Sequence, residues 1–411
     1  MISFISTFPP MMCGIGSYTK YLVSHMPSDS WRVISFKLDE FSQFPESSEL
    51  DDRVSYELSL TDRALPSSPE GKVVWFQHAF GMWGEDPSYF LKFLKDAKER
   101  GGKVVASFHT VHFQSPETNL GMEKKELELL KRALPLLDAL TVFTKGAYQT
   151  VIKAFPEYKD RIVVIRHGVH LYPEVSRRKA RERLIEYLID QAEIPFRKKR
   201  ELEKNYSHLL SPKTIILGNF GFITADKAFS DLYRFRQLIQ ERVPRHRIIT
   251  FVIGKIQKRK DKELSEFLPL LEGLKSVHDG EGNLFFENYL PEELLPVALR
   301  ALDFTIFWPH NATQSGRMSH ALGAGTCVMG RDIEGIGETL KLCGLPATET
   351  LEELAEVVRE YILHPGLRQK AEERGREYAK RYSYEAQAKK HLLLAESLMA
   401  NKGLPVLDGE P

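Results

Sequence analysis

Short continuous apolar runs, separated by polar segments of helix length, set the pattern of this chain. ISFIS (2–6), WRVISF (31–36), VVWFQ (73–77), KVVASF (103–108), ALTVF (139–143) and IVVIR (162–166) are mostly unbroken rather than alternating. Runs of this kind, rich in Val, Ile and Phe, predict parallel strands buried on both faces, with polar segments such as 88–100 and 123–137 as crossover helices. A second series follows in TIILGNF (214–220), IITFVIG (248–254), NLFFENY (283–289), FTIFWP (304–309) and TCVMG (326–330). Each series predicts a doubly wound α/β domain. The chain has 411 residues, beyond the roughly 250–300 at which one hydrophobic core stops growing. The expected division is 1–173, a charged helical linker or insertion at 174–212, 213–383, and a C-terminal helix with a tail at 384–411.

The linker segment carries Arg177, Arg178, Lys179, Arg181 and Arg183 in front and Arg197, Lys198, Lys199 and Arg200 behind. Leu184, Ile185, Leu188 and Ile189 recur at helical spacing and give one apolar stripe on a basic helix. A helix packed on its own domain, with a solvated basic face, is the plain reading; attachment to an anionic membrane surface is the sharper one. From Leu351 to Met399 the pattern is helical, with a bend expected at Tyr382, Ser383 and Tyr384. A helix beyond that bend can cross back to the first domain.

Composition narrows the class. Hydrophobic residues make up 42% of the chain and the formal charge is +1, which suits a globular enzyme and gives no global attraction to nucleic acid. Cys13, Cys327 and Cys343 are odd in number and lack CxxC spacing, so neither a disulfide framework nor a zinc site is expected. Residues 1–19 are uncharged, but Pro9, Pro10, Gly14 and Gly16 break the run and no Lys or Arg precedes Lys20. A secretory signal needs a basic start and an unbroken apolar stretch. A cytoplasmic location follows as the expectation, with the membrane surface as its variant.

Two glycine turns carry the candidate chemistry. In TQSGRMSHALGAGTCVMG (313–330) a polar turn feeds a small-residue helix and then a strand, a phosphate-cradling plan. Ser315 and Gly316 begin the helix, so backbone N–H groups there can meet an anion, and the Arg317 guanidinium can add a bidentate contact. Ala321, Gly323, Ala324 and Gly325 permit close helix packing. In FPPMMCGIGSYT the Gly14–Ile15–Gly16 turn lets backbone approach a substrate. A dinucleotide site competes there, although GIGSYT has Thr19 where the fingerprint needs its third glycine. His109 ends one strand and His78 another, and the carboxyl ends of parallel strands face ligand crevices. His112 and His167 read as structural.

FPPMMCGIGSYT, WFQHAFGMWG (75–84), SFHTVH (107–112), VVIRHGV (163–169), FGFITADK (220–227), YLPEEL (289–294) and TQSGRMSHALGAG (313–325), in this order, resemble a family 4 retaining glycosyltransferase of the two-Rossmann GT-B fold with a central cleft. The resemblance implies transfer of a sugar from a nucleotide-sugar donor to a saccharide, lipid-linked or small-molecule acceptor. It also implies retention of anomeric configuration, no essential metal and no other cofactor. It makes Lys227 the diphosphate lysine and His109 the histidine that contacts the transferred sugar. In a front-face displacement the departing phosphate takes the acceptor's proton, so His109 orients rather than acts as base. Thr313, Gln314, Ser315, Gly316, Arg317 and His320 fall to the donor, Leu290 to the nucleotide base through backbone, and Gly14, Ile15, Gly16 and His78 to the acceptor side.

The chain also departs from the family. Ala312 and His320 stand where many members carry two glutamates eight positions apart, and Ala79 where relatives have a carboxylate. Phe220, Gly221 and Phe222 occupy a stretch that often holds an arginine. His320 can still hydrogen-bond ribose hydroxyls; Ala312 replaces nothing polar. A sugar-nucleotide-binding protein without transfer, and another two-Rossmann enzyme such as an epimerase or phosphorylase, stay open beside the transferase. The choice among UDP, GDP and ADP sugars stays open too.

Overall fold

A computed structural model describes residues 1–40, 51–62, 64–66, 72–84, 86–191, 206–256 and 261–408. It resolves into two compact units, Met1–Gly168 with Tyr382–Pro411, and Val169–Arg381. The basic block Arg197, Lys198, Lys199 and Arg200 lies outside the described residues.

In the first unit β1 (Ile2–Ile5), β2 (Trp31–Phe36), β3 (Val54–Leu58), β4 (Val73–His78), β5 (Lys103–Phe108), β6 (Ala139–Val142) and β7 (Ile162–Val164) form one parallel sheet. The order is β3-β2-β1-β4-β5-β6-β7. Alternate residues feed opposite cores, as a strand's period of two requires. Ile5, Val74, Phe76, Ala106 and Phe108 pack with Phe90, Phe93 and Leu94 of the Ser88–Glu99 helix. Phe4, Trp75 and Val105 pack instead with Tyr18 and Leu22 of the Gly14–Val23 helix and with Tyr384, Ala388 and Leu394 of the C-terminal helix, Tyr384–Met399. The strand β3 escaped the sequence reading because Ser55, Tyr56 and Glu57 are only partly buried on this sheet edge. It therefore lacks a continuous apolar run.

The second unit repeats the design. Its strands β8 (Thr214–Phe220), β9 (Arg247–Gly254), β10 (Asn283–Glu287), β11 (Phe304–Phe307), β12 (Cys327–Arg331) and β13 (Ala347–Thr348) pair in parallel in the order β10-β9-β8-β11-β12-β13. The strand β13, two residues long, was too short to read from the sequence.

The helix in the segment expected as a charged linker or insertion packs on its own unit, as the plain reading has it. The Arg177–Gln191 helix buries Ala180, Arg181, Leu184, Ile185, Leu188 and Ile189 and packs on the Leu295–Ala301 helix. An interfacial helix would have to give those same apolar residues to lipid, so its stripe is already used within the protein. Among the described residues no helix is long and apolar enough to cross a membrane. The long helical segment breaks twice. His364 precedes Pro365, which disfavours helical backbone at the residue before it, and Ser383 caps the last helix by accepting from the Ala386 N–H.

Candidate active site

In the second unit the strand order reverses between β8 and β11, the place where doubly wound sheets hold ligands. These strands pair through Leu217 and Gly218 against Phe304 and Thr305, and past that point Asn219 spans the gap. Its Nδ2 donates to the Ile306 carbonyl at 2.7 Å, while Oδ1 accepts from the Phe220 N–H at 2.9 Å and from Arg317 Nη1 at 2.9 Å. The Arg317 guanidinium lies 5.4 Å from the Phe229 ring centroid and 5.5 Å from that of Phe307. Desolvation pushes its pKa down to about 10, so it stays cationic at neutral pH. Among the described residues no carboxylate pairs with it. Gly221, at φ 135, leaves room for this side chain, since a Cβ there would stand 2.6 Å from Arg317 Cδ.

The loop after β8 adds a second cation. Lys227 ends the Ala225–Lys227 turn, and its ammonium donates to the Phe222 carbonyl. The next residue, Ala228, sits in the left-handed region at φ 48, a conformation that costs a residue with a Cβ about 1–2 kcal/mol. The His310 N–H donates to the Asp226 carbonyl at 2.8 Å, tying the loop after β11 to the lysine turn. Phe222 stacks on Tyr289 with centroids 5.2 Å apart. Tyr289 is 52% exposed, and Leu290 beside it is buried.

The loop after β11 leads into the Gly316–Gly323 helix. Ser315 Oγ accepts from the Met318 N–H at 3.3 Å, so this side chain caps the helix and Gly316 opens it. Gln314 Oε1 is buried with no hydrogen-bond partner among the described residues. Thr313 and Ala312 are partly buried in the same loop. One turn into the helix, His320 Nδ1 lies 2.6 Å from the Tyr172 hydroxyl, and its ring stacks on His170 at 4.0 Å. The fold thus brings Lys227, Ser315, Gly316 and Arg317 to one edge of one sheet, the carboxyl edge.

The first unit gathers a different set at the carboxyl ends of β1, β4 and β5. Gly16 is buried against the Thr7–Phe8 backbone, where a Cβ would meet Phe8 Cα at 3.2 Å, whereas Gly14 is exposed with nothing within 4 Å. Gly16 therefore serves close packing of the helix on its own loop, and Ile15 packs on the core. His109, 3% exposed, holds Nε2 at 2.7 Å from Gln77 Oε1, with Tyr18 edge-on at 4.9 Å and Phe143 at 4.5 Å. Burial first, and then the neighbouring His167, His78 and His391, hold its pKa well below the ordinary histidine value. A neutral imidazole can orient a hydroxyl but has no spare proton to give.

His78 follows the strand alternation onto the other face. It is buried among Phe80, Phe90 and Phe108, with burial lowering its pKa to about 3. This is the environment of a core histidine. His112, Glu123 and Glu126 come close enough to hold an ion, yet they already form a helix cap. Glu126 Oε2 accepts from the His112 and Glu123 N–H groups, Oε1 lies 2.7 Å from His112 Nδ1, and Lys125 pairs with Glu123.

Asn219, Gln77, Tyr172 and the Phe222–Tyr289 stack were missed in the sequence. Asn219 and Gln77 do stand near strand ends in otherwise apolar runs, a signal available without the fold. Tyr172 has no such signal, because 148 residues separate it from His320.

Two parallel, doubly wound units with phosphate-type loops at the strand reversal define a two-Rossmann protein of the GT-B fold. Solved structures share it. A UDP-forming α,α-trehalose-phosphate synthase from Burkholderia xenovorans superposes with TM-score 0.66 at 11% identity, over 97% of this chain and 99% of that one. HepE of Anabaena in complex with UDP and glucose gives 0.63 at 13%, over 97% and 99%. The trehalose-6-phosphate structure from E. coli bound with UDP-2-fluoro glucose gives 0.64 at 12%, over 95% and 98%. No family model matches the sequence, and no curated protein matches it.

Proposed function

We propose that this chain is a retaining, metal-independent glycosyltransferase, similar to family 4, that moves a sugar from a nucleotide-diphosphate sugar to a saccharide, lipid-linked or small-molecule acceptor. The observation that carries the reading is Arg317, a guanidinium without a carboxylate partner among the described residues, at a strand reversal, held by Asn219 and next to a helix N-terminus. Buried or half-buried cations ordinarily find a counter-charge, and a diphosphate supplies one. Lys227 adds a point charge from the loop tied to the same segment. As the leaving group departs, its growing negative charge is met by fixed cations and backbone N–H groups, where such preorganised donors are most effective. On this reading His109, kept neutral, contributes a hydrogen bond to the sugar and takes no proton. UDP-2-fluoro glucose in the E. coli structure, and UDP with glucose in HepE, favour a UDP sugar here.

Titration calorimetry of UDP, GDP and ADP, each with its sugar conjugates and in chelator, tests the reading. Selective binding of one base, followed by transfer with the donor's anomeric configuration kept in the product, supports it. Binding without transfer to any acceptor would turn the reading toward a protein that only holds the nucleotide sugar. No binding would remove it.

A further inference from the structure

We infer that His310 is a positioning residue: from the loop after β11 it holds both ends of the 226–231 turn and so sets where the Lys227 ammonium stands. The inference rests on the nucleotide-sugar reading above and adds to it a residue that acts through Lys227 rather than on the nucleotide.

His310 follows Pro309 at the end of the FTIFWP run. The Pro309 ring fixes its own backbone angle, and its carbonyl accepts from Nη1 of Arg331, the last residue of β12, at 3.3 Å. His310 is therefore placed by the sheet. Its N–H donates to the Asp226 carbonyl at 2.8 Å, which orients the peptide that leads into Lys227. Its imidazole reaches the other end of the turn, where Nε2 lies 3.1 Å from Asp231 Oδ2. An ionised carboxylate only accepts, so Nε2 is the donor.

A turn of this shape needs such ties. Ala228 lies between the two contacts in the left-handed region, at φ 48, and strained backbone persists only where its surroundings over-determine it. Ser230, which precedes the Asp231–Arg242 helix, makes no side-chain cap bond, so the imidazole's hold on Asp231 secures that end. Phe229 fixes the middle of the turn, being buried with the Arg317 guanidinium 5.4 Å from its ring. Arg317 itself is held by Asn219, outside the turn. Release of the imidazole therefore falls on Lys227, a point charge on a flexible stem whose reach depends on its backbone, and leaves the other cation in place. The His310 side chain is 61% exposed and that of Asp231 32%; exposed pairs contribute little, so the expected effect is a few-fold adjustment of the site.

The test measures calorimetric binding of UDP, or of GDP or ADP should the protein select one of those, together with urea unfolding. It compares the full-length wild type, His310→Ala and His310→Gln, and repeats the alanine change in Asp231→Ala and in Lys227→Ala. His310→Ala is expected to weaken the nucleotide about two- to fivefold, the range of an exposed ion pair, at the wild-type urea midpoint. His310→Gln, whose amide nitrogen can stand in for Nε2 as donor, restores the affinity. In Asp231→Ala and in Lys227→Ala the same change costs no further affinity, because residues that act through one another do not add. Unchanged affinity in His310→Ala overturns the inference, as does an equal further loss in the Lys227→Ala background. A loss that glutamine does not restore, or one that comes with a lower urea midpoint, assigns His310 a merely structural role and also overturns it. Failure of the wild type to bind UDP, GDP or ADP removes the nucleotide-sugar reading and the role of His310 with it.

Discussion

Four arginines at one edge of the second unit's sheet and one at the opposite edge meet opposite fates. At the amino edge, just before β11, Asp303 is buried and pairs with Arg181, with Arg368 at 2.7 Å and with Arg177 at 3.5 Å. Glu372 pairs with Arg177 and, at 2.9 Å, with Arg300. Their remaining N–H groups go to backbone carbonyls, such as Arg181 to Ala301 and Leu209, Arg177 to Leu302, and Arg300 to Gly325. At the carboxyl edge Arg317 has Asn219 and two aromatic rings, and no carboxylate among the described residues. The four arginines at the amino edge lock three helices and a strand; Arg317, on the proposed reading, stands ready for an anion. On that reading pairing, rather than residue type or burial, separates a structural guanidinium from a binding one.

The comparison predicts effects that fall on different measurements. Asp303→Ala leaves Arg181 buried beside an empty site, and removing one partner of a buried pair costs about 3–5 kcal/mol; urea unfolding should show that loss. Lys227→Ala should slow transfer by the equivalent of about 2.7–4 kcal/mol, by analogy with loss of a preorganised donor at a developing oxyanion, and unchanged kinetics would remove Lys227 from the site. Arg317→Ala should weaken nucleoside diphosphate binding by about 1.5–3 kcal/mol, the range for a hydrogen bond to a charged group. Its unfolding free energy should change by no more than about 1 kcal/mol. Ala228→Gly relieves a left-handed alanine and should stabilise the second unit by about 1 kcal/mol or less, because the added freedom of the unfolded glycine offsets part of the gain. A loss of stability there would mean that the Lys227 turn depends on the alanine methyl.

The strands with continuous apolar runs, β1, β2 and β4 to β7 in the first unit and β8 to β12 in the second, were legible because burial on both faces leaves an unbroken run. The edge strands β3 and β13 were not, one being half-exposed and the other two residues long. The Arg177–Gln191 helix was read with its apolar stripe and its packing on its own domain, but not with its partner, since Leu295–Ala301 lies more than a hundred residues away in sequence. At the site, the glycine turn and the strand end marked Ser315, Gly316, Arg317 and His109 as candidates because local chain geometry governs those positions, while Lys227 came from the family resemblance. The side that His78 faces was not legible, since the residue at a strand's end can face either side of the sheet and the packing of Phe90 and Phe108 decides which. The hydrogen-bond partners Gln77 of His109 and Tyr172 of His320 come from distant segments and needed the fold.

The most direct test of the central claim is calorimetric binding of UDP, GDP and ADP to the wild type and to Arg317→Ala, with urea unfolding of both. The account predicts that one nucleotide binds the wild type, that Arg317→Ala weakens it at least about tenfold, and that the two proteins unfold at nearly the same urea concentration. Equal binding by both proteins would contradict it.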